Sequence, residues 1–325
     1  MVPKALKSIA LACPGQGIWP QGCLYHLRKH ESLFRDSLDC LDETIGSSFS
    51  KFLLDQSSTQ NESWNLSTAN AQPAILSSTY ILLDIFKKLH GIDLASSSST
   101  THLLGHSLGE YTAITLAKVI SLEDGLNLVR RRGLLMEEFA KSTADRKWEM
   151  HVLVFRPAAF DLVLRKVTEA GLLACVNNET QLSISGELKR ILLLLSDLNT
   201  PKKTILKQAV LPVEIPFHNS VLTEVEEELL KVRPVSGSPI KPVVCNIDGV
   251  SASEDLLEKT IRATSRPVQW KKSMDHLCSL HTDTVINIGP GSAVDSINSR
   301  FKIKNLPMKN EEDMKSLAKL LSGAD

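Results

Sequence analysis

Residues 105–110 (GHSLGE) place a serine between two glycines. A strand-compatible run over residues 101–104 precedes them, and a helix-compatible stretch over residues 111–119 follows them. In a tight strand-to-helix turn, a side chain on either flank of the serine would collide with the neighbouring backbone. The following helix directs its unpaired N–H groups and positive dipole end at the serine oxygen. Ser107 is therefore predicted to be a nucleophile, although the pattern alone is also compatible with an ordinary glycine-capped loop.

A serine hydroxyl needs a base within hydrogen-bond reach before it can attack an acyl group. His218 is the strongest candidate among the nine histidines, because it follows a β-like run and a proline and precedes a helical pattern over residues 221–232. That position predicts a strand end facing the same cleft as Ser107; the alternative is a residue beside a helix N-terminal cap. His106 adjoins the serine, but neighbours on a tight turn usually point apart, which favours packing or hydrogen bonding for it.

A hydrolase triad would add a carboxylate between the serine and the histidine in the sequence. Asp145, Asp161 and Asp197 occupy that interval, but all three fall in a segment that we expect to form a separate small domain. No suitable triad acid is visible. A histidine oriented by a backbone carbonyl would explain its absence.

The elements around these residues predict an α/β fold with a mostly parallel sheet, because strands alternate with helices. Strands are predicted over residues 8–13, 101–104 and 284–288, and helices over residues 72–90, 111–119 and 122–139. The middle of the chain has the order βαββαβ, which is typical of a ferredoxin-like domain. Its strands are predicted at 151–155, 172–176, 181–185 and 204–208, its helices at 157–170 and 187–198, and a turn at Asn177-Asn178. The predicted division is a core of residues 1–142 and 211–325, interrupted by a small subdomain of residues 143–210.

Composition excludes several classes of protein. The chain has 325 residues, 42% of them hydrophobic, which is enough for a full core, and its formal net charge is +0. A neutral chain gives no global signal for nucleic acid or an anionic membrane, and no apolar run reaches the roughly 18 residues of a membrane span. Six scattered cysteines without a C-x-x-C pair favour free thiols in a reducing compartment over a disulfide scaffold or a zinc site.

Seven stretches in order make the chain resemble the malonyl-CoA:acyl-carrier-protein transacylases and the related acyltransferase domains of fatty-acid and polyketide synthases. They are residues 14–17 (PGQG), 71–74 (AQPA), 105–110 (GHSLGE), 132–133 (RG), 216–218 (PFH), 266–270 (RPVQW) and 289–291 (GPG). Each stretch is weak alone, but together they are specific and span nearly the whole chain. The resemblance implies an α/β-hydrolase-like core with an inserted ferredoxin-like subdomain, in agreement with the pattern of elements.

The resemblance implies a role for each matching position. Ser107 would be the nucleophile, and His218 the general base, oriented by the backbone carbonyl of Gln269. The backbone N–H groups of Gln16 and Leu108 would form the oxyanion hole. A backbone carbonyl in that role fits the missing triad acid.

Arg132 is the residue through which the resemblance names a substrate. A guanidinium presents paired donors that match a carboxylate and stays charged when partly buried, and in the family this arginine binds the malonyl carboxylate. Without the resemblance, residues 130–132 (RRR) could equally be a solvated helix face. Phe217 and His106 would line the acyl pocket, where the bulk of Phe217 narrows it against a branched acyl chain.

The activity implied is ping-pong transfer of a malonyl group from malonyl-CoA to the phosphopantetheine thiol of an acyl carrier protein, through a malonyl-serine, in fatty-acid synthesis. No metal or redox cofactor is required, and a monomer is expected. An acidic carrier could dock on Lys202-Lys203 or Lys271-Lys272. The alternatives are a serine esterase or thioesterase on the same core and a catalytically silent carrier-binding module.

Two features near the N-terminus concern the compartment and the pocket rim. The N-terminal segment carries Lys4 and Lys7 and no acidic residue before Glu31. This composition is compatible with the remnant of a trimmed transit peptide, which predicts the mitochondrial matrix; the alternative compartment is the cytoplasm. Residues 18–20 (IWP) replace the polar residues usual after the PGQG turn in the family. The rim of the pocket is therefore expected to differ.

Overall fold

The computed structural model describes residues 6–17, 21–46, 48–55, 67–291 and 293–322. The rim residues Ile18, Trp19 and Pro20 and Lys4 of the N-terminal segment lie outside the described residues. The predictions about the rim of the pocket and about the compartment therefore stay predictions.

The larger sheet is α/β and mostly parallel, as predicted. Its strands are β1 (Ile9–Cys13), β2 (Thr100–Gly105), β7 (Val243–Val244), β8 (Ser251–Ala252), β9 (Thr284–Ile288) and β10 (Lys304–Met308). They lie in the order β10-β9-β1-β2-β7-β8, and all neighbouring pairs except β7–β8 are parallel. Every residue of β1 and β9 is buried, because helices cover both faces of a sheet of this kind.

A second, antiparallel sheet has the order β4-β5-β3-β6. Its strands are β3 (Trp148–Phe155), β4 (Leu173–Asn178), β5 (Gln181–Glu187) and β6 (Ile205–Val210). The helix Phe160–Glu169 follows β3 and the helix Leu188–Leu198 follows β5, and both pack on the sheet around a core of their own. This confirms the ferredoxin-like βαββαβ order. The four strands lie inside the predicted segment 143–210, whose boundaries stay a prediction.

The predicted turn at Asn177-Asn178 is wrong, because both residues belong to β4 and the turn is made by Glu179 and Thr180. The Asn178 carboxamide oxygen accepts hydrogen bonds from the Thr180 backbone N–H at 3.0 Å and from its hydroxyl at 2.8 Å. Asparagine therefore closes the turn from the end of the strand, which its turn preference alone could not distinguish from lying within it.

Helices of the core pack around the larger sheet. They are Arg35–Ile45, Lys51–Leu54, Thr68–His90, Leu108–Leu116, Leu122–Ser142, Thr223–Lys231, Leu256–Arg262, Trp270–Ser279, Ala293–Asn298 and Glu311–Ser322, with 3₁₀ segments at Tyr25–Leu33, Ser220–Leu222 and Ala263–Ser265. A further 3₁₀ segment, Pro157–Ala159, follows β3 in the small subdomain. Helix Thr68–His90 begins four residues before the predicted start, since the Ser67 hydroxyl accepts from the Asn70 N–H and caps it. Among the described residues, none of these helices combines the length and apolarity that crossing a membrane requires.

Candidate active site

Two turns leave the larger sheet side by side. One is the PGQG turn (residues 14–17), and the other carries the predicted nucleophile Ser107 (residues 105–109) and is called the nucleophile turn below. Strands β1 and β2 are parallel neighbours in which Cys13 pairs with Gly105, so both turns begin at the carboxyl edge of the sheet. A side chain on Gly15 would approach the His106 carbonyl oxygen to 2.6 Å. Glycine is needed at this position because the two turns are in contact.

Ser107 adopts φ 54° and ψ −116°, a backbone conformation that non-glycine residues rarely adopt. The flanking glycines make this turn possible. A Cβ atom on Gly105 would lie 1.9 Å from the Gly109 backbone, and one on Gly109 would lie 2.3 Å from the Cys13 carbonyl oxygen. The strand, the turn and the helix Leu108–Leu116 therefore pack so closely that neither Gly105 nor Gly109 has room for a side chain.

We expect Gly109→Ala to destabilise the protein by about 3 kcal/mol or to prevent folding, because the added methyl group overlaps backbone atoms that cannot move aside. Urea unfolding followed by circular dichroism measures the effect. Gly237→Ala is the control, since its nearest neighbour would be the Lys118 carbonyl oxygen at 3.5 Å, an ordinary contact. Equal stability of the two variants would contradict the packing described for the turn.

Ser107 and His218 meet although 111 positions separate them in the sequence. The serine Oγ lies 2.6 Å from the histidine Nε2. On its other side, the histidine Nδ1 lies 2.8 Å from the Ala263 carbonyl oxygen and 3.1 Å from that of Arg266. Since carbonyls only accept, Nδ1 carries the proton and donates it, and Nε2 is left to accept the serine proton.

The prediction that Gln269 supplies the orienting carbonyl is wrong. Its carbonyl oxygen accepts from the Ser273 N–H at 3.0 Å, because Gln269 is the N-cap of the helix Trp270–Ser279 and its carbonyl accepts the first hydrogen bond of that helix. The carbonyls that face His218 belong to the 3₁₀ segment Ala263–Ser265 and the residue that ends it, Arg266. A backbone carbonyl does take the place of a triad acid, but it comes from an earlier turn.

His218 does not follow a strand either. Residues 211–219 form an irregular loop, because prolines at positions 212 and 216 have no N–H to give to a ladder. The small subdomain holds this loop: the Ser185 hydroxyl donates to the Phe217 carbonyl at 2.6 Å, and the Asn219 side chain donates to the Ser185 carbonyl at 2.8 Å. The roles of Ser185 and Asn219 were not predicted from the sequence, because neither residue belongs to a motif.

Asn246, another residue that sequence reasoning missed, clamps the nucleophile turn. Its Oδ1 accepts from the Ser107 N–H at 2.8 Å, and its Nδ2 donates to the Gly105 carbonyl at 2.6 Å. The Asn246 N–H in turn lies 3.2 Å from an oxygen of Glu110, whose pKa is raised to about 8 by burial. In the sequence, the only sign of this role is that Asn246 is a polar residue directly after a short apolar run, and that run contains β7.

Leu108 and Gln16, the predicted oxyanion-hole residues, lie on the two neighbouring turns. Leu108 is the first residue of the helix Leu108–Leu116, and within the described part of the chain neither its N–H nor that of Gln16 has a hydrogen-bond acceptor. The Gln16 side chain donates to the Thr68 hydroxyl at 2.8 Å, which ties the PGQG turn to a helix N-terminus. A developing oxyanion needs unpaired N–H donors, and the role of these two groups stays a prediction.

Arg132 is 1% exposed and contacts neutral partners. Its Nη1 donates to the Gln72 side-chain oxygen at 2.9 Å, its Nε lies 3.4 Å from the Thr264 hydroxyl, and the Tyr111 ring centroid is 5.4 Å from its central carbon. Across the described residues, no carboxylate lies within 4.0 Å of its guanidinium. A buried cation without an anion is costly, and the predicted role of Arg132 in binding a substrate carboxylate stays a prediction.

The motif residues around Arg132 explain its placement. Gln72 of the AQPA stretch is its hydrogen-bond partner, and a Cβ atom on Gly133 would lie 2.4 Å from the Ala69 Cα. Glycine there lets the helix Leu122–Ser142 approach the helix Thr68–His90 closely. Of the neighbouring arginines, Arg130 donates to Asn70 at 2.5 Å and Arg131 is exposed, so only Arg132 turns inward.

Of the residues predicted for the acyl pocket, Phe217 is buried and His106 is partly buried, and they adjoin His218 and Ser107 in the sequence. The His106 Nε2 lies 3.1 Å from the Asn177 side-chain oxygen, and its ring meets the Trp270 ring edge-on at 5.2 Å. This agrees with the expected packing and hydrogen bonding, and it joins the nucleophile turn to β4 of the small subdomain. Contact of these two side chains with an acyl group stays a prediction.

The environment of His218 keeps its imidazole neutral. Burial, with a smaller contribution from the nearby Arg132 charge, lowers the pKa of His218 to about 3, although the two carbonyl hydrogen bonds act in the opposite direction. Arg132 is close because Thr264, which it contacts, adjoins Ala263, which His218 contacts. The Ser107 hydroxyl, the His218 imidazole and the Arg132 guanidinium thus lie in one site. In the described parts of the chain, no group of His, Cys, Asp and Glu side chains could hold a metal ion.

The comparisons with known proteins agree over almost the whole chain. Residues 11–316 match the family model described as an acyl transferase domain. A relative from Bacillus subtilis (strain 168), a malonyl CoA-acyl carrier protein transacylase, is 31% identical over 312 residues, which are 91% of this chain and 92% of the relative. The crystal structure of a malonyl-CoA:acyl carrier protein transacylase from Xanthomonas oryzae pv. oryzae has a TM-score of 0.82 at 25% identity and covers 97% of this chain and 99% of its own.

A further solved structure shares the fold. It is that of a malonyl-transacylase in complex with its type II polyketide-synthase acyl-carrier protein, with a TM-score of 0.83 at 20% identity, covering 96% of this chain and 99% of its own.

Proposed function

The chain belongs to the acyl transferase domain family, and from this premise we propose that it transfers a malonyl group from malonyl-CoA to the phosphopantetheine thiol of an acyl carrier protein, for fatty-acid synthesis. The observation that carries the substrate is the buried guanidinium of Arg132, which has neutral partners and adjoins the Ser107–His218 pair. A malonyl group is an acyl group that ends in a carboxylate, so it fills both parts of the site.

In the first half-reaction, the Ser107 oxygen attacks the thioester carbonyl while the His218 Nε2 takes the serine proton. The new bond joins the serine oxygen to the malonyl carbonyl carbon, and the negative charge passes to the carbonyl oxygen, next to the N–H groups of Gln16 and Leu108. The C–S bond then breaks, and the histidine returns the proton to the CoA sulfur. Throughout, the carbonyls of Ala263 and Arg266 hold the imidazolium that forms.

In the second half-reaction, the thiol of the carrier takes the place of CoA, and His218 removes its proton. The thiolate attacks the malonyl ester and the serine oxygen leaves with the proton. Water must be kept from the ester for transfer to exceed hydrolysis. The Ser185 hydroxyl of the small subdomain holds the loop 211–219, which carries His218, through the Phe217 carbonyl.

Docking of an acidic carrier is proposed at the exposed pair Lys202-Lys203. Neither lysine has an ion-pair partner within the described residues. Lys271, of the other pair considered, is held by Asp275 at 2.6 Å and lies over the Phe160 ring, so less of its charge is available to a partner. The expectation that the protein is a monomer stays a prediction.

The test is to incubate the protein with radiolabelled malonyl-CoA, trap the acyl-enzyme in acid, and then add holo-acyl carrier protein to a parallel sample. Label on Ser107 that moves to the carrier supports the transacylase. Rapid release of free malonate would instead identify a serine thioesterase. The absence of any labelled protein would identify a silent binding module.

We expect the rate of Ser107 malonylation to change less than about twofold between pH 7.5 and pH 5.5. The base must be neutral, and a lowered pKa keeps His218 neutral as the pH falls, whereas a histidine with an ordinary pKa near 6.5 would lose about tenfold over the same range. Rapid-quench measurement of the loading step alone avoids the ionisation of the acceptor thiol. A tenfold fall with an apparent pKa near 6.5 would show that the imidazole is solvated.

A further inference from the structure

Glu226 is a buried carboxylate for which the acyl-transfer mechanism has no role. It lies eight positions after His218, on the helix Thr223–Lys231, and its side chain is 4% exposed. Removing a carboxylate from water is costly unless other groups compensate it closely. Its partners therefore indicate what the buried charge does.

The partners of Glu226 all belong to one turn. Its Oε2 accepts from the Ser265 hydroxyl at 2.5 Å, and its Oε1 faces the Arg262 Nη1 at 3.2 Å and the Arg266 Nη2 at 4.0 Å. Arg262 precedes the 3₁₀ segment Ala263–Ser265 and Arg266 ends it. The Glu226 carboxylate thus faces the residue before this 3₁₀ segment, the last residue within it and the residue after it.

The same turn provides both acceptors for the His218 Nδ1–H, the carbonyls of Ala263 and Arg266. A triad acid orients its histidine with a full charge, but a carbonyl offers only a dipole, whose effect depends strongly on direction. A 3₁₀ turn of three residues has weak hydrogen bonds of its own. The placement of the two acceptors therefore depends on what holds the turn from outside.

Resting on the proposed function, we propose that Glu226 is a positioning residue, which fixes the turn 262–266 through Ser265 and Arg262 so that the Ala263 and Arg266 carbonyls keep the His218 Nε2 aimed at Ser107. The carboxylate that a triad would place against the imidazole is thus present, but it acts through a turn of the backbone. It does not touch the reacting atoms.

Two variants and a matched control test this inference. Ser265→Ala removes the hydroxyl that joins the turn to the carboxylate, and Glu226→Gln removes the charge with little change of shape. Glu258→Gln is the control, because Glu258 also binds Arg262, at 2.8 Å, but does not contact Ser265 or Arg266 in the described structure. The readouts are the single-turnover rate of malonylation, KM for malonyl-CoA, the rate of Ser107 phosphonylation by a fluorophosphonate, and the thermal unfolding midpoint.

We expect Ser265→Ala and Glu226→Gln each to lower the malonylation and phosphonylation rates about tenfold, a part of the 10²–10⁴ that a general base supplies. KM should change less than about twofold, because neither substitution removes Arg132 or its hydrogen bond to Gln72. The double variant should be no slower than the slower single variant, since both act on the same contact. Glu258→Gln should keep the wild-type rates.

Wild-type rates in both Ser265→Ala and Glu226→Gln would overturn the inference, and so would losses that Glu258→Gln reproduces together with the same fall in unfolding midpoint. If Glu226→Gln does not fold, Ser265→Ala decides alone. Phosphonylation separates this outcome from failure of the proposed function. If wild-type protein takes no malonyl group but its phosphonylation is slowed by Ser265→Ala, the positioning role stands and the substrate assignment falls.

Discussion

His218→Ala is expected to lower the rate of malonyl transfer by about 10⁴-fold, and Ser107→Ala to remove the malonyl-enzyme altogether. The serine hydroxyl lies 2.6 Å from the only ring nitrogen free to accept its proton. Without that acceptor, the attacking oxygen stays protonated at neutral pH. Single-turnover loading with radiolabelled malonyl-CoA measures the rate, and mass spectrometry of the trapped protein locates the label.

His26→Ala is the control for this prediction, since His26 is an exposed residue of the 3₁₀ segment Tyr25–Leu33. It should load at the wild-type rate. The double variant Ser107→Ala/His218→Ala should be no less active than Ser107→Ala alone, because the two side chains act as one unit. A His218→Ala variant that retained a tenth of the wild-type rate would remove the basis for the mechanism.

Arg132→Ala is expected to lower malonyl loading by about 10²–10³-fold while changing acetyl loading by less than about fivefold. A buried charge pair that loses one partner typically costs about 3–5 kcal/mol, because the remaining charge is left without compensation in a dry site. Acetyl-CoA has no carboxylate and loses nothing of this kind. The ratio of kcat/KM for the two substrates is the measurement, since it cancels general damage to the catalytic pair.

Arg131→Ala is the matched control, because Arg131 is the adjacent arginine on the same helix but is exposed. Its selectivity should equal that of the wild type. Arg132→Lys should recover part of the malonyl preference, since it keeps the charge but loses the paired donors. Equal losses for malonyl and acetyl groups in Arg132→Ala would show that the arginine supports the fold and does not bind a carboxylate.

Much of the fold was predictable from local patterns. The apolar run before the PGQG turn became β1, the run over 284–288 became β9 at the predicted bounds, and the order βαββαβ was confirmed in the middle of the chain. These patterns work because burial acts on each element separately through its periodicity. Element ends were less predictable, as at Thr68, where a cap at Ser67 extends the helix beyond its apolar pattern.

The sequence by itself singled out Ser107, because the glycines that flank it are a local feature, and it singled out Arg132 only through the resemblance of the stretch 132–133 to a family. Only the tertiary structure decided what holds them. The acceptors of His218 are the backbone oxygens of Ala263 and Arg266, and every residue has such an oxygen, so no residue type marks them and Gln269 was a wrong choice. Asn246 reaches the nucleophile turn from the turn after β7, 139 positions away in the sequence, and Glu226 reaches the orienting turn from another helix. Contacts across long separations are set by packing and leave no local pattern.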